Sequence, residues 1–204
     1  METIHSYIRL LWYISKIQSH IEGTKKDAKS YHDKVLPELQ KDPNTICLYT
    51  DGSGIDKRIG AAVYCSTVQT TKQQHMGSET EYNVFAAELT AILLATEIVR
   101  ANPSHNRCEI FTDSQPSIKA LLKPRKQSGQ SIINAILDNI ENLHTERPAL
   151  TFTITWIPGH MDIDENEEAD KAAKAAAKSN GSERTQAALK SARNAANKMQ
   201  TRDK

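Results

Sequence analysis

A chain of 204 residues has room for one domain of ordinary size with a remainder, or for two small domains. Apolar residues make up 38% of it and concentrate between residues 44 and 178, where they can form one hydrophobic core. The 26 basic and 25 acidic residues leave a formal charge of +1, so total charge favours neither a nucleic acid nor a membrane as partner.

The three cysteines are odd in number and show no CxxC spacing, which argues against a disulfide framework and a zinc knuckle. They predict buried free thiols and an intracellular, reducing compartment, the nucleus or the cytoplasm. The apolar stretch at residues 7–15 contains Arg9 and is far shorter than the ~20 residues of a membrane span. It also lacks a small-residue cleavage site, so we expect no signal peptide, no transmembrane segment and no membrane partner.

Residues 1–43 differ in character from the residues that follow. A helical stripe of large apolar side chains comes first, followed by a polar stretch; the stripe consists of Ile4, Ile8, Leu11, Trp12 and Ile14. This pattern predicts an N-terminal helical or linker segment. It leaves open whether the segment docks on the following domain or is the remnant of a preceding domain.

From residue 44 onward, strand and helix patterns alternate. Apolar or alternating runs predict five strands, at residues 45–53, 59–68, 71–78, 107–115 and 150–160. Helical spacing predicts helices at residues 83–102, 117–122, 129–144 and 166–179. Residues 52–54 read Gly-Ser-Gly and predict a loop closing a hairpin. The order predicts an α/β fold, a mixed sheet with helices on its faces. Residues 179–204 predict a basic tail, exposed or helical.

Three carboxylates stand where a fold would not normally place them. Asp51 and Asp113 each follow an apolar run and a threonine, and two parallel strands would bring both to one edge of the sheet. Glu88 lies three residues after Phe85 and four before Ile92, on the apolar stripe of its helix. The alternatives are turn-capping aspartates and a glutamate that reaches solvent from the edge of the stripe. Clustered carboxylates repel one another unless they bind a cation, so the pattern predicts a magnesium or manganese site.

The acidic stretch GHMDIDENEEAD at residues 159–170 invites comparison with a calcium loop. The EF-hand pattern fails, because Glu167 replaces the required glycine and Ala173 the final glutamate. Asp164 and Glu167 have the spacing of a capping box, and acids favour the first turn of a helix. Helix initiation therefore explains most of these acids but leaves His160 and Asp170 unexplained.

The blocks YTDGS, AAEL, FTDSQ and GH…NEEAD occur in this order with compatible spacing. Together they resemble the motif blocks of type 1 ribonuclease H, in particular the subgroup found in non-LTR retroelement reverse transcriptases. The resemblance implies a ribonuclease H domain at residues 44–178. It also implies a ribonuclease H-like fold with a five-stranded mixed sheet, in which three antiparallel strands precede parallel additions and helices flank the sheet.

The resemblance also assigns roles to individual residues. It implies four metal ligands, Asp51, Glu88, Asp113 and Asp170, which with His160 form the catalytic set. Asp170 stands ten residues after His160, as the family pattern has it, and His160 matches a mobile histidine that assists proton transfer or product release. Three further residues match polar positions that contact the substrate: Ser53, Gln115 and Asn166.

The chain also departs from the family pattern. Asp162 and Glu165 stand where retroelement relatives often have glycine, and Val84 stands where cellular relatives have an asparagine that senses 2′-hydroxyls. The interval between Asp113 and His160 is too short for the full basic handle of the bacterial enzyme, of which residues 123–127 resemble a remnant. Substrate affinity is therefore expected to depend on a neighbouring domain.

The implied function is endonucleolytic hydrolysis of the RNA strand of an RNA–DNA hybrid by a retroelement-derived enzyme. Two Mg²⁺ ions, roughly 3.5–4 Å apart, would serve as cofactors, with Mn²⁺ as a substitute, and the products would carry a 5′-phosphate and a 3′-hydroxyl. The implied partners are the hybrid and a reverse transcriptase domain in a longer polyprotein. Alternatives are a hybrid-binding module without catalysis, a structural domain, and an integrase or resolvase. The sequence leaves open the oligomeric state and whether the domain is free-standing.

Overall fold

The computed structural model describes residues 16–21, 23–124 and 127–179. Within them, six strands form one sheet: β1 (Ile17–His20), β2 (Thr45–Ile55), β3 (Arg58–Cys65), β4 (Thr70–Ser78), β5 (Arg107–Thr112) and β6 (Thr151–Trp156). The described helices are α1 (Lys25–Lys41), α2 (Val84–Ala101), α3 (Gln115–Leu122), α4 (Gln130–Glu146) and α5 (Asp164–Lys178). The predicted α/β class is confirmed.

The strands are ordered β1-β6-β5-β2-β3-β4 across the sheet. The meander β2-β3-β4 is antiparallel, whereas β5, β6 and β1 add to it in parallel. Helices separate the parallel strands in sequence, as parallel pairing requires. This arrangement places the N-terminal half of β2 at the centre of the sheet, between β5 and β3.

The sixth strand, β1, corrects the prediction of five. It lies in the segment that the sequence predicts as helix or linker, and it pairs with β6 from Ile17↔Phe152 to His20↔Thr155. Only Ile17 of its four residues is buried, so the strand carries too little apolar pattern to be recognised. The predicted apolar stripe at residues 4–14 and the tail after Ser179 lie outside the described residues.

Both faces of the sheet carry a core. Leu48 of β2 packs with Leu89 of α2 in the larger cluster, which also includes α3 and α4. The next residue, Tyr49, packs on the opposite face with Leu39 of α1 and Ala169 of α5. The alternation follows from the period of two along a strand, and it explains why β2 has an almost continuous apolar sequence.

The hairpin between β2 and β3 does not turn where the sequence predicts. Residues 52–54 belong to β2, and the turn is formed by Asp56 and Lys57, both with positive φ (50° and 62°). A positive φ at both central residues is typical of the two-residue turns that join antiparallel strands. Gly52 instead allows close packing, because a Cβ atom there would lie 2.5 Å from the backbone nitrogen of Glu88.

Helix α5 packs against the meander through small side chains. A Cβ atom at Gly60 of β3 would collide with the backbone of Ala177 and lie 2.5 Å from the carbonyl oxygen of Ala173. The predicted helix is confirmed, but its N-cap is Ile163, which makes no side-chain capping bond. The capping-box interpretation of Asp164 is therefore wrong. Acids do occupy the first turn, where they interact favourably with the helix dipole.

None of the described helices is long and apolar enough to cross a lipid bilayer. The three cysteines, Cys47, Cys65 and Cys108, are buried and free, as their apolar neighbours predict. Burial raises the pKa of the Cys47 thiol to about 12, so it is expected to be unreactive at neutral pH.

Candidate active site

Asp51 and Asp113 lie side by side where the parallel pairing of β2 with β5 ends. The last matched pair is Thr50↔Thr112, and the two aspartates are the residues that follow. Asp113 leaves the end of its strand as predicted. Asp51 does not, because β2 continues and pairs Asp51 with Ala62 of β3. The aspartates still meet, because β5 ends beside Asp51 and leaves this edge of β2 open.

Glu88 approaches the two aspartates from α2. It is 8% exposed and lies among the buried residues of the helix, as its position on the apolar stripe predicts. The backbone N–H of Gly52 donates a hydrogen bond to its carboxylate. Its second oxygen, Oε2, is buried and has no hydrogen-bond partner among the described residues. A buried carboxylate oxygen without a donor costs free energy unless a cation binds there.

Asp51, Glu88 and Asp113 each offer an oxygen within 4.8 Å of the others. Burial is the main reason why the pKa of Asp51 is raised to about 8, and the negative charges of Asp113 and Asp170 add to the effect. Burial, followed by the charges of Asp51 and Asp113, raises the pKa of Glu88 well above its ordinary value. Burial also raises the pKa of Asp113, against the opposing effect of His160. The cluster therefore resists ionisation, and a divalent cation would relieve that cost.

These residues fit a magnesium or manganese ion by the chemistry of their donors. All three supply hard carboxylate oxygens, and Glu88 Oε2, which has no partner among the residues that the structure describes, adds an acceptor to the same cluster. Within the described part of the chain, no cysteine or histidine belongs to the group, which makes zinc a poor match.

Asp170 reaches the same cleft from α5 but stands apart from the compact group. Its Oδ2 accepts a hydrogen bond from Lys174 Nζ at 2.6 Å. Lys174 was not predicted as a site residue. Its signal in the sequence is the i, i+4 spacing from Asp170, which brings two side chains together on one face of a helix.

The carboxylates open into a cleft of about 260 Å³. Its lining is predominantly polar and consists of Asp51, Gly52, Ser53, Gly54, Glu88, Asp113, His160, Asn166, Glu167, Asp170 and Lys174. Two of the predicted substrate-binding residues, Ser53 and Asn166, are thus placed at the cleft, and Asn166 Oδ1 is buried without a partner among the described residues. The third, Gln115, is not part of this lining; it begins α3 and accepts a hydrogen bond from Lys119.

His160 is exposed and lies in the loop between β6 and α5. The preceding residue of this loop, Gly159, packs against the Asp113 side chain. A Cβ atom at Gly159 would lie 2.5 Å from Asp113 Oδ2, so a larger residue there would require the Asp113 side chain to shift. His160 and Asp162 both adopt positive φ, at 56° and 52°. Asp162 thus has a backbone conformation that favours glycine.

Comparisons with known proteins show which family and which proteins this chain is similar to. A sequence model of the family described as RNase H matches residues 43–178. The chain is 34% identical over 145 residues to the Pol polyprotein of equine infectious anemia virus (isolate 1369). That alignment covers 70% of this chain but only 11% of the polyprotein, so the chain spans a small part of its relative.

Two solved structures are also similar to this chain. RNase H1 from the halophilic archaeon Halobacterium salinarum NRC-1 has 19% identity and a TM-score of 0.48, covering 65% of this chain and 96% of that one. LC11-RNase H1, solved in complex with an RNA/DNA hybrid, has 17% identity, a TM-score of 0.49 and the same coverage. Since the family match spans residues 43–178, most of the chain, this chain belongs to the RNase H family.

Proposed function

We propose that this chain hydrolyses the RNA strand of RNA–DNA hybrids endonucleolytically and leaves a 5′-phosphate and a 3′-hydroxyl. The observation that carries the proposal is the buried group of Asp51, Glu88 and Asp113, with one glutamate oxygen unpartnered among the described residues. Ionising such a group in the absence of a cation costs free energy, because burial and like charges disfavour the charged carboxylates. It becomes favourable when it binds divalent cations.

Asp51, Glu88, Asp113 and Asp170 would hold two Mg²⁺ ions, with Mn²⁺ as a substitute. When bound, the ions supply an activated water and stabilise the leaving 3′-oxygen. The walls of the cleft fix the carboxylates: β2 and β5 position the two strand aspartates, α2 positions Glu88 and α5 positions Asp170. His160, exposed at the mouth of the cleft, can exchange a proton with solvent and with a substrate oxygen.

Substrate contacts are proposed for Ser53, Asn166 and Gln115. Ser53 and Asn166 line the cleft beside the carboxylates, so each can reach the strand that enters it. Gln115 would act from the start of α3, outside this lining, on a more distant part of the hybrid. Strand choice would depend on 2′-hydroxyls and helix shape in the minor groove, because base sequence is not read there.

We further propose a retroelement origin, in the non-LTR subgroup that the four motif blocks resemble, and a reverse transcriptase domain as a partner within a longer polyprotein. Residues 44–178 would form the catalytic domain, with residues 1–43 as an N-terminal segment and residues 179–204 as a basic tail. The similarity to Pol polyproteins supports the polyprotein context. Buried free thiols support a reducing compartment.

A panel of labelled duplexes tests this function. The full chain is incubated in Mg²⁺ with an RNA–DNA hybrid labelled on each strand in turn, and with double-stranded RNA and double-stranded DNA. We expect cleavage of the RNA strand of the hybrid alone, giving products that a ligase requiring 5′-phosphate and 3′-hydroxyl ends can rejoin. Cleavage of duplex DNA would indicate an integrase or resolvase activity, and retention of the hybrid without turnover would indicate a binding module.

A further inference from the structure

Lys174 occupies an unusual position among the residues of the cleft. It is the only lysine or arginine in the described lining, where five carboxylates converge: Asp51, Glu88, Asp113, Glu167 and Asp170. Its ammonium binds one of them directly, with 2.6 Å between Lys174 Nζ and Asp170 Oδ2. The ammonium group of Lys174 thus partly neutralises a strongly acidic site.

The two partners differ in their freedom to move. The side chain of Asp170 is 15% exposed, whereas that of Lys174 is 44% exposed. Helix α5 is held against the sheet where Gly60 meets Ala173 and Ala177, so the backbone of this pair is fixed relative to β2. The pair can therefore open when the long lysine side chain swings towards solvent, while Asp170 stays in the cleft.

We propose that Lys174 is a positioning residue that holds Asp170 as an internal counter-ion and must be displaced before Asp170 can bind a divalent cation. This inference rests on the proposed function, because it assumes that Asp170 is a metal ligand. It explains why Asp170 stands apart from the compact group of Asp51, Glu88 and Asp113. A metal ion that binds Asp170 must compete with the ammonium group of Lys174, which lies one helical turn further along α5.

If the Lys174 ammonium and a divalent cation compete for Asp170, removing the lysine charge should strengthen cation binding. Replacing Lys174 with methionine keeps much of the length of the side chain and removes the charge, so it frees Asp170 and removes repulsion of an incoming cation. Because the lysine is partly exposed and screened by solvent, we expect divalent-cation affinity to rise by about three- to tenfold. Arginine keeps the charge, so K174R should bind the cation with nearly wild-type affinity.

Calorimetric titration of the full chain with Mn²⁺, without nucleic acid, tests the inference through a double-mutant cycle of K174M and D170N. We expect K174M to tighten Mn²⁺ binding in the wild-type background and to have a clearly smaller effect in the D170N background. We also expect the thermal midpoint of metal-free K174M to fall below that of the wild type, and the difference to close at saturating Mn²⁺.

Two results would overturn the inference: unchanged affinity in folded K174M, or an equal gain with and without the Asp170 carboxylate. Neither result would affect the proposed function, provided that wild-type protein binds Mn²⁺ and cleaves the hybrid. If the folded wild type binds no Mn²⁺ at all, the proposed metal site itself is wrong, and the inference fails with it.

Discussion

Asp51, a proposed metal ligand, illustrates how a buried carboxylate can lower the stability of the folded protein. Burial, Asp113 and Asp170 raise its pKa to about 8 in the folded, metal-free protein, whereas an unfolded chain has a pKa of about 3.9. The folded state therefore binds more protons than the unfolded state between these values, and stability falls as pH rises through them. The neutral carboxyl supports folding fully below about pH 4, and that contribution is lost as pH approaches about 8.

We predict that metal-free wild-type protein loses stability relative to D51N as pH rises from about 4 to about 8, because asparagine cannot ionise. Thermal unfolding in EDTA across this pH range, with both proteins side by side, measures the difference. Saturating Mn²⁺ should abolish the loss in the wild type, since the metal binds the ionised form. Parallel stability curves for the two proteins in EDTA would show that Asp51 titrates normally.

The backbone conformation of Asp162 leads to a second prediction. Its φ of 52° lies in the left-handed region, where a Cβ atom costs roughly 1 kcal/mol. We therefore expect D162G to be more stable than D162A by about 1 kcal/mol, as measured by chemical denaturation. At Asp164, in the first turn of α5, the same pair should rank in the opposite order, because alanine favours a helix. If alanine is the better residue at both positions, the loop does not have this conformation.

At the scale of elements, the position of Asp170 depends on how closely α5 approaches β3. The contact at Gly60 leaves no space for a methyl group, and its neighbours are backbone atoms of Ala173 and Ala177 that cannot move aside alone. A larger residue at position 60 would therefore push the whole helix outward, together with Asp170 and Lys174.

We predict that G60A destabilises the protein by about 1 to 3 kcal/mol and slows hybrid cleavage about tenfold or more, because small displacements of catalytic groups are costly. The matched control is G23A, since a Cβ atom at Gly23 meets nothing within 4 Å. Denaturation and steady-state kinetics on the two variants give both quantities. Wild-type stability and activity in G60A would contradict the close packing described for α5.

Most elements of the sheet could be predicted from the sequence, but β1 and the turn between β2 and β3 could not. Five strands and four helices follow from clear apolar periods, but the four-residue β1 has a single buried side chain and no period. The Gly-Ser-Gly at residues 52–54 has turn chemistry, yet Gly52 is needed for helix packing. The observed turn, at Asp56 and Lys57, contains no glycine to mark it in the sequence. Because the turn comes later than predicted, β2 continues past Asp51 to Ile55.

The site follows the same rule. Asp51, Glu88, Asp113 and Asp170 could be predicted to lie at the cleft because each departs from what its element requires or matches a motif block. Lys174 could not, since lysines are common on exposed, alanine-rich helices. Its direction into the cleft depends on how α5 is rotated against the sheet, which is a tertiary property.

In the whole molecule, β1 adds an edge strand to the sheet, and α1 packs together with α5 on one face of it. His32 of α1 is buried, contacts the ring of Phe111 edge-on and lies 3.0 Å from the Tyr49 hydroxyl through Nε2. Leu39 joins the same cluster, while β1 pairs with β6. These contacts bring residues outside the family match into the core of the domain.

We predict that removal of residues 1–43 lowers the free energy of unfolding by about 3 kcal/mol or more, because it exposes an apolar face and an edge strand. Removal of residues 180–204, which the sequence predicts to be an exposed tail, is the control and should change stability little. Chemical denaturation of the two truncated chains against the full chain measures both effects. Equal stability of all three would show that the segment docks without contributing to the core.

A single cleavage assay can show whether the cluster of Asp51, Glu88 and Asp113 serves hydrolysis of RNA within a hybrid. Wild-type protein and D113N are compared on an RNA–DNA hybrid with 5′-labelled RNA, in Mg²⁺ and in EDTA. We predict shortened RNA products with the wild type in Mg²⁺ only, and a rate at least about a hundredfold lower for D113N. Equal cleavage by the two proteins, or cleavage by the wild type in EDTA, would contradict this prediction.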